Sequence, residues 1–190
     1  MYLSVTLILA LSVLPACSSA PRAHSQEVFD EQTGNTLLVV AKPLVFARAR
    51  TDVAAYARDY ATLVAVEVDI SGKFSDYLLL YRWSTVDPRM SPPPAQAQGE
   101  LKMSAEGREI DLKPLEQLPV SLSRRKQLHV PDQGAVVAHA YTVDAATLRF
   151  IAASREINVR MPQEQLDTPF NIWEDGRVAL FQFAGRAAAQ

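Results

Sequence analysis

Cysteine is nearly absent: the 190 residues hold one, Cys17. A lone cysteine excludes an internal disulfide and any multi-cysteine metal site. Glycine is sparse as well, with seven in all, and none of them falls in a G-x-S-x-G or G-x-G-x-x-G pattern. Histidine occurs three times and never as H-E-x-x-H. Serine-hydrolase, dinucleotide-binding and zincin readings therefore lack their usual local signatures, and no cofactor is expected. Positive charge is not in excess, since 19 Lys and Arg stand against 21 Asp and Glu for a net charge of -2. No global positive field gathers phosphate backbones, so nucleic acid is not an expected partner.

What is present begins with an uncharged N-terminus. No charged side chain occurs from Met1 to Pro21, and Val5 to Ala16 is an apolar run broken only by Thr6, Ser12 and Pro15. The run is too short to span a bilayer, which takes about 20 apolar residues, but it suits the hydrophobic region of an export signal. It ends in Leu14-Pro15-Ala16-Cys17, which resembles the lipobox of bacterial lipoproteins. The resemblance implies cleavage before Cys17, a diacylglyceryl group on its thiol and acylation of the new amino group. Cys17 is then a lipid anchor to the membrane and not a nucleophile. The sequence departs from the family pattern in having Pro15 two positions before the cysteine and no Lys or Arg ahead of the apolar run.

The polar tract SSAPRAHSQE, from Ser18 to Glu27, has the composition of a flexible tether. The expected organisation is a signal peptide over 1–16, a lipidated tether over 17–30 and one β-rich domain over 31–190. Ser18 and Ser19 directly after the cysteine resemble the class of lipoproteins released to the periplasmic face of the outer membrane.

The body reads as strands. Val64, Val66, Val68 and Ile70 share one face of a strand over Thr62 to Ile70, with Glu67 and Asp69 on the other, expected to be solvated. A turn through Ser71, Gly72, Lys73 and Ser75 leads to Tyr77, Leu79, Tyr81 and Trp83 on one face of a second strand, an antiparallel hairpin. Leu101 and Met103, a turn at Gly107, then Ile110 and Leu112 predict a second hairpin. Val120 and Leu122 predict a short strand, Val136 to Val143 a longer one, and Ile157, Val159 and Met161 another. Leu37 to Arg48 is strand-like but contains Pro43, which places it at a sheet edge or a bulge.

Helix is scarce. Asp144 can cap a helix over Ala145 to Ala153, and a second can start near Asp175-Gly176 and run through Phe181 and Phe183, although Asp-Gly is also a hairpin pattern. The expected fold is mainly β, an antiparallel β-sandwich or barrel-like domain with one or two short helices, with α+β as the alternative.

Candidate chemical groups are few. His129, Asp132 and His139, with Tyr141 on the same strand face as His139, form the best metal-type constellation, but nothing in the spacing forces them together and no metal site is assigned. Glu67 and Asp69, two apart on one strand face, have a spacing compatible with paired acid-base work. Tyr77, Tyr81 and Trp83 can fill a core or floor a sugar or peptide groove. Arg124-Arg125-Lys126 is the one basic run, able to meet a phosphate or carboxylate on an envelope protein or anionic envelope polymer. SPPPAQAQG, from Ser91 to Gly99, is a proline-rich surface loop. Together these point to an envelope-anchored lipoprotein acting as a non-enzymatic binding, accessory or assembly module. The alternatives are an envelope hydrolase using Glu67, Asp69 or His139, and a small-ligand carrier with a site between the sheets.

Overall fold

A computed structural model describes residues 24–86, 101–122, 137–161 and 168–187. Eleven strands form one antiparallel sheet system: β1 (Ser25–Asp30), β2 (Asn35–Val40), β3 (Leu44–Ala49), β4 (Arg58–Ile70), β5 (Lys73–Ser84), β6 (Lys102–Ala105), β7 (Arg108–Asp111), β8 (Lys113–Pro114), β9 (Val137–Thr142), β10 (Ile157–Arg160) and β11 (Phe170–Glu174). Among the described residues two helices accompany them, α1 (Ala145–Ala153) and α2 (Arg177–Ala187). The strand order is β7-β6-β10-β11-β3-β4-β5-β9-β8, with β1 and β2 off this path. The architecture is mainly β and sandwich-like with two helices; the expected barrel alternative is set aside, because the sheet does not close on itself.

The organising pair is β4 and β5, which stay in register from Asp59↔Ser84 to Ile70↔Lys73. Their tight turn uses two left-handed residues, Ser71 (φ 54) and Gly72 (φ 84). Both residues at φ > 0 give the mirror-image turn whose twist matches the strands it joins. Asp69 helps to close it, its carboxylate accepting from Gly72 N at 2.6 Å.

The other edge of β4 is shared. β3 pairs with its first half, Leu44↔Leu63 to Ala49↔Arg58, and β2 with its second, Thr36↔Asp69 to Val39↔Val66. From Val39 to Leu44 the chain advances two residues more than β4 does between Val66 and Leu63. β2 and β3 are therefore one long strand interrupted by a bulge at Ala41, Lys42 and Pro43, as the proline predicts. At that break the sheet forks, with β1 continuing beyond β2 and β11 beyond β3.

Fork and helices together bury both faces of β4. Val64, Val66 and Val68 are buried on one face, and Ala61, Leu63, Ala65 and Glu67 on the other. The second face was expected to be solvated, and this is corrected: α2 packs on β1, β2 and β4, and α1 packs on α2. Ala179, Leu180, Phe183 and Ala184 form the buried stripe of α2, at the i, i+1, i+4, i+5 spacing of a helix face.

Two further expectations need adjustment. Ser25–Asp30, inside the stretch assigned to the tether, pairs residue for residue with β2 from Ser25↔Val40 to Asp30↔Asn35, so the sheet begins at Ser25. Val120–Leu122 is a 3-10 turn, closed by Leu122 N donating to Pro119 O at 2.8 Å, and not a strand. Asp175-Gly176 leads into a helix, as expected, and the alternative hairpin is set aside: Leu180 N donates to Gly176 O at 3.0 Å, the first bond of α2. α1 lies where its cap predicts, with Asp144 Oδ1 accepting from Thr147 N at 2.6 Å.

Candidate functional site

Opposite residues of an antiparallel pair point to the same side of the sheet. On the α2 side of β4 and β5, register places Glu67 across from Asp76, Ala65 across from Leu78, Leu63 across from Leu80 and Asp59 across from Ser84. β9 extends this face with Tyr141 opposite Leu78 and His139 opposite Leu80. The hydrophobic middle therefore separates two polar groups, one acidic and one mixed.

The acidic group is Glu67 with Asp76. Glu67 is 4% exposed. Asp76 Oδ1 is fully buried with no hydrogen-bond partner among the described residues. Burial, then the facing Asp76 charge, push Glu67 above the usual carboxylate range, while Arg186 on α2 opposes the shift. Burial, then Asp144, push Asp76 up. The paired acid expected beside Glu67 was Asp69; the cross-strand partner is Asp76, and Asp69 serves the hairpin turn.

The mixed group starts from Arg48 on β3. Arg48 Nη2 donates to Asp59 Oδ2 at 2.8 Å, and the guanidinium lies 4.4 Å from the centre of the Phe170 ring. Asp59 also accepts from Arg50 Nη1 at 3.2 Å and from Ser84 Oγ at 2.7 Å. Desolvation opposes its ionisation, yet these donors hold Asp59 below its ordinary value. Burial and the neighbouring Arg48 lower Arg82. Burial, then Arg82, lower His139, which keeps its imidazole neutral at pH 7. His139 Nε2 is buried with no hydrogen-bond partner among the described residues. Burial pushes the Tyr141 phenol up, so it remains a neutral hydroxyl. The expected pairing of His139 and Tyr141 on one strand face is found, while His129 and Asp132 lie outside the described residues. Among the described residues no three His, Cys, Asp or Glu side chains converge as a metal site.

The opposite face of β4 and β5 carries an aromatic corner. Tyr60 and Trp83, cross-strand neighbours, stack at 3.9 Å between ring centres and 6° between planes. Trp173 meets Tyr60 edge-on at 6.2 Å, and Arg58 lies 4.8 Å over the Trp173 ring. Trp83 Nε1 donates to Thr62 Oγ1 at 3.1 Å, which fixes the indole. Of the expected stripe, Tyr81 is core, whereas Tyr77 and Trp83 are half-buried. Trp173 is 53% exposed. Tyr60 and Trp173 lie outside the expected stripe; Tyr60 is legible as the next residue of the Thr62, Val64, Val66 alternation, whereas Trp173 depends on the irregular register of β11 against β3.

A shallow cavity of about 290 Å³ lies elsewhere, lined by Glu106, Phe150, Ala153, Ser154 and Arg155. Glu106 is committed there to backbone, accepting from Arg155 N and Glu156 N. Cys17, the Ser91 to Gly99 loop and Arg124, Arg125 and Lys126 lie outside the described residues. Comparison with known proteins yields no matching family model, no matching curated protein and no matching solved structure.

Proposed function

We propose that this protein is a lipid-anchored module of the bacterial cell envelope, held at the membrane by acyl chains on Cys17 and acting by binding and not by catalysis. The observation that carries the reading is the apolar run ending in Leu14-Pro15-Ala16-Cys17, set shortly before an antiparallel β domain. Seven residues, 18–24, separate Cys17 from β1. At full extension they reach roughly 25 Å, so the domain stays close to the bilayer surface. Two or more acyl chains supply a stable attachment that one chain does not. Ser18 and Ser19 favour the outer membrane, periplasmic face.

Two features favour binding over hydrolysis. Glu67, the acid best placed for paired chemistry, is buried beneath α2 and does not meet a substrate from solvent. The aromatic corner, in contrast, presents Trp173 outward beside a guanidinium on a rigid sheet. Such a surface suits the apolar face of a sugar ring, with Arg58 available to an acidic substituent. The Arg124-Arg125-Lys126 run adds a second, electrostatic contact to an anionic envelope polymer or protein.

Membrane fractionation of cells expressing the full chain tests the reading. The wild type should sediment with membranes and resist extraction by high salt, and Cys17→Ser should lose the salt-resistant fraction. Wild-type protein found free of membranes would overturn it.

A further inference from the structure

We propose that Glu67 and Asp76 form a proton-sharing carboxyl pair which makes the packing of the last turn of α2 against the sheet responsive to mildly acidic pH. The inference goes beyond the envelope reading and stands or falls independently of acylation at Cys17.

Geometry carries it. The two residues are directly opposite on β4 and β5, a relationship that brings Cβ atoms to about 5 Å on the same face. Asp76 Oδ1 is completely buried with no hydrogen-bond partner among the described residues, and Glu67 across from it is 4% exposed. Buried carboxylates are normally hydrogen-bonded, because an unpaired one forfeits its hydration without replacement. A single proton removes both problems: an O–H on one carboxyl donates to the ionised oxygen of the other, a short charge-assisted bond.

The surroundings are asymmetric. On β4, Asp69 adds a like charge to Glu67. On β1, Glu27 stands across from Leu38, the residue of β2 opposite Glu67. From α1, the N-capping Asp144 adds a like charge to Asp76. Arg186 of α2 is the cation acting on Glu67, and its Nη1 also donates to Ser25 Oγ of β1 at 2.8 Å. With the pair ionised, Arg186 is drawn to Glu67 and holds the end of α2 by charge. With the pair protonated, the buried repulsion is gone and Arg186 keeps its bond to Ser25.

Both groups are raised in the folded protein, which fixes the sign. The stabilisation is fully present below the ordinary values of 4.5 for Glu67 and 3.8 for Asp76. It is lost as pH rises through the higher folded-state values. Acidification from neutral pH therefore strengthens the fold until other carboxylates that are lowered in the fold, such as Asp59 and Asp144, protonate.

The test is a carboxyl carbon NMR titration of the full chain in detergent micelles, with thermal unfolding measured at each pH. In the wild type the Glu67 and Asp76 signals should titrate together in two steps, with one step above the range of exposed carboxylates. Glu67→Gln should reduce Asp76 to one step at lower pH and flatten the rise in Tm on acidification from pH 7 to 5.5. Arg186→Gln should move the upper step higher. If Glu67→Gln does not fold, Asp76→Asn supplies the same comparison from the other strand. Independent single titrations of both residues at ordinary values, unaffected by either substitution, would overturn the proposal.

Discussion

A Cβ added to Gly176 would stand 2.3 Å from the carbonyl oxygen of Pro43, with Lys42 O at 2.5 Å. The residue just before α2 thus lies directly on the bulge that divides β2 from β3. Backbone carbonyls cannot swing aside as a long side chain can. Gly176→Ala should therefore destabilise the domain by about 1–3 kcal/mol, the usual range for overpacking. Chemical denaturation should show a lower midpoint with unchanged slope, whereas an unchanged midpoint would mean that the contact has room to relax.

The cap of α1 offers a second comparison. Asp144 Oδ1 accepts from Thr147 N, and this bond holds its carboxyl below the ordinary range. Asp144→Ala should cost about 1 kcal/mol, a fall in Tm of about 2–4 °C for a chain of this size. Asp144→Asn, which can still cap, should recover most of it. A lowered folded-state value means that the capping stabilisation is present above the unfolded pKa and is lost as pH falls through the folded one. Equal Tm values for Asp144→Ala and wild type would contradict the cap.

The aromatic corner predicts a separation of binding from folding. Trp173 is largely outward and meets Tyr60 by its edge, so Trp173→Ala should leave the circular dichroism spectrum unchanged. Affinity for N-acetylhexosamine oligomers, measured by calorimetry, should fall about tenfold, or roughly 1.4 kcal/mol. Equal affinities for the two proteins would remove the corner from the binding surface.

For the basic run, replacing Arg124, Arg125 and Lys126 together by Gln should leave the fold intact and weaken capture of anionic envelope polymer, most of all at low salt. Exposed charges are screened over about 8 Å at physiological ionic strength, so the effect should fade as salt rises. Identical capture at every salt concentration would reduce the run to a solvated turn.

Much of the sheet is legible in local pattern, because alternation records burial on one face. The β4–β5 hairpin, both helices and the β6–β7 turn at Glu106 and Gly107 follow from period, caps and turn residues. What pattern could not convey is burial of the second face. Ala61, Leu63 and Ala65 share their face with the charged Glu67 and Asp69, and are buried by α2, which follows more than a hundred residues later. For the same reason Glu67 pairs with Asp76 through cross-strand register and not with Asp69 through sequence spacing. β1 was missed because SQEVFD carries no alternating apolar face; its order comes from the six pairings with β2. Val120–Leu122 alternates like a strand, yet the preceding Pro119 accepts the i to i+3 bond that winds it.

Intact mass measurement of the protein purified from bacterial membranes decides whether Cys17 carries a lipid anchor. An anchored protein should show loss of residues 1–16 together with added mass from a diacylglyceryl group and an N-acyl chain, and Cys17→Ser an uncleaved chain without acyl mass. A wild-type chain that retains Met1 to Ala16 and carries no acyl mass would contradict it.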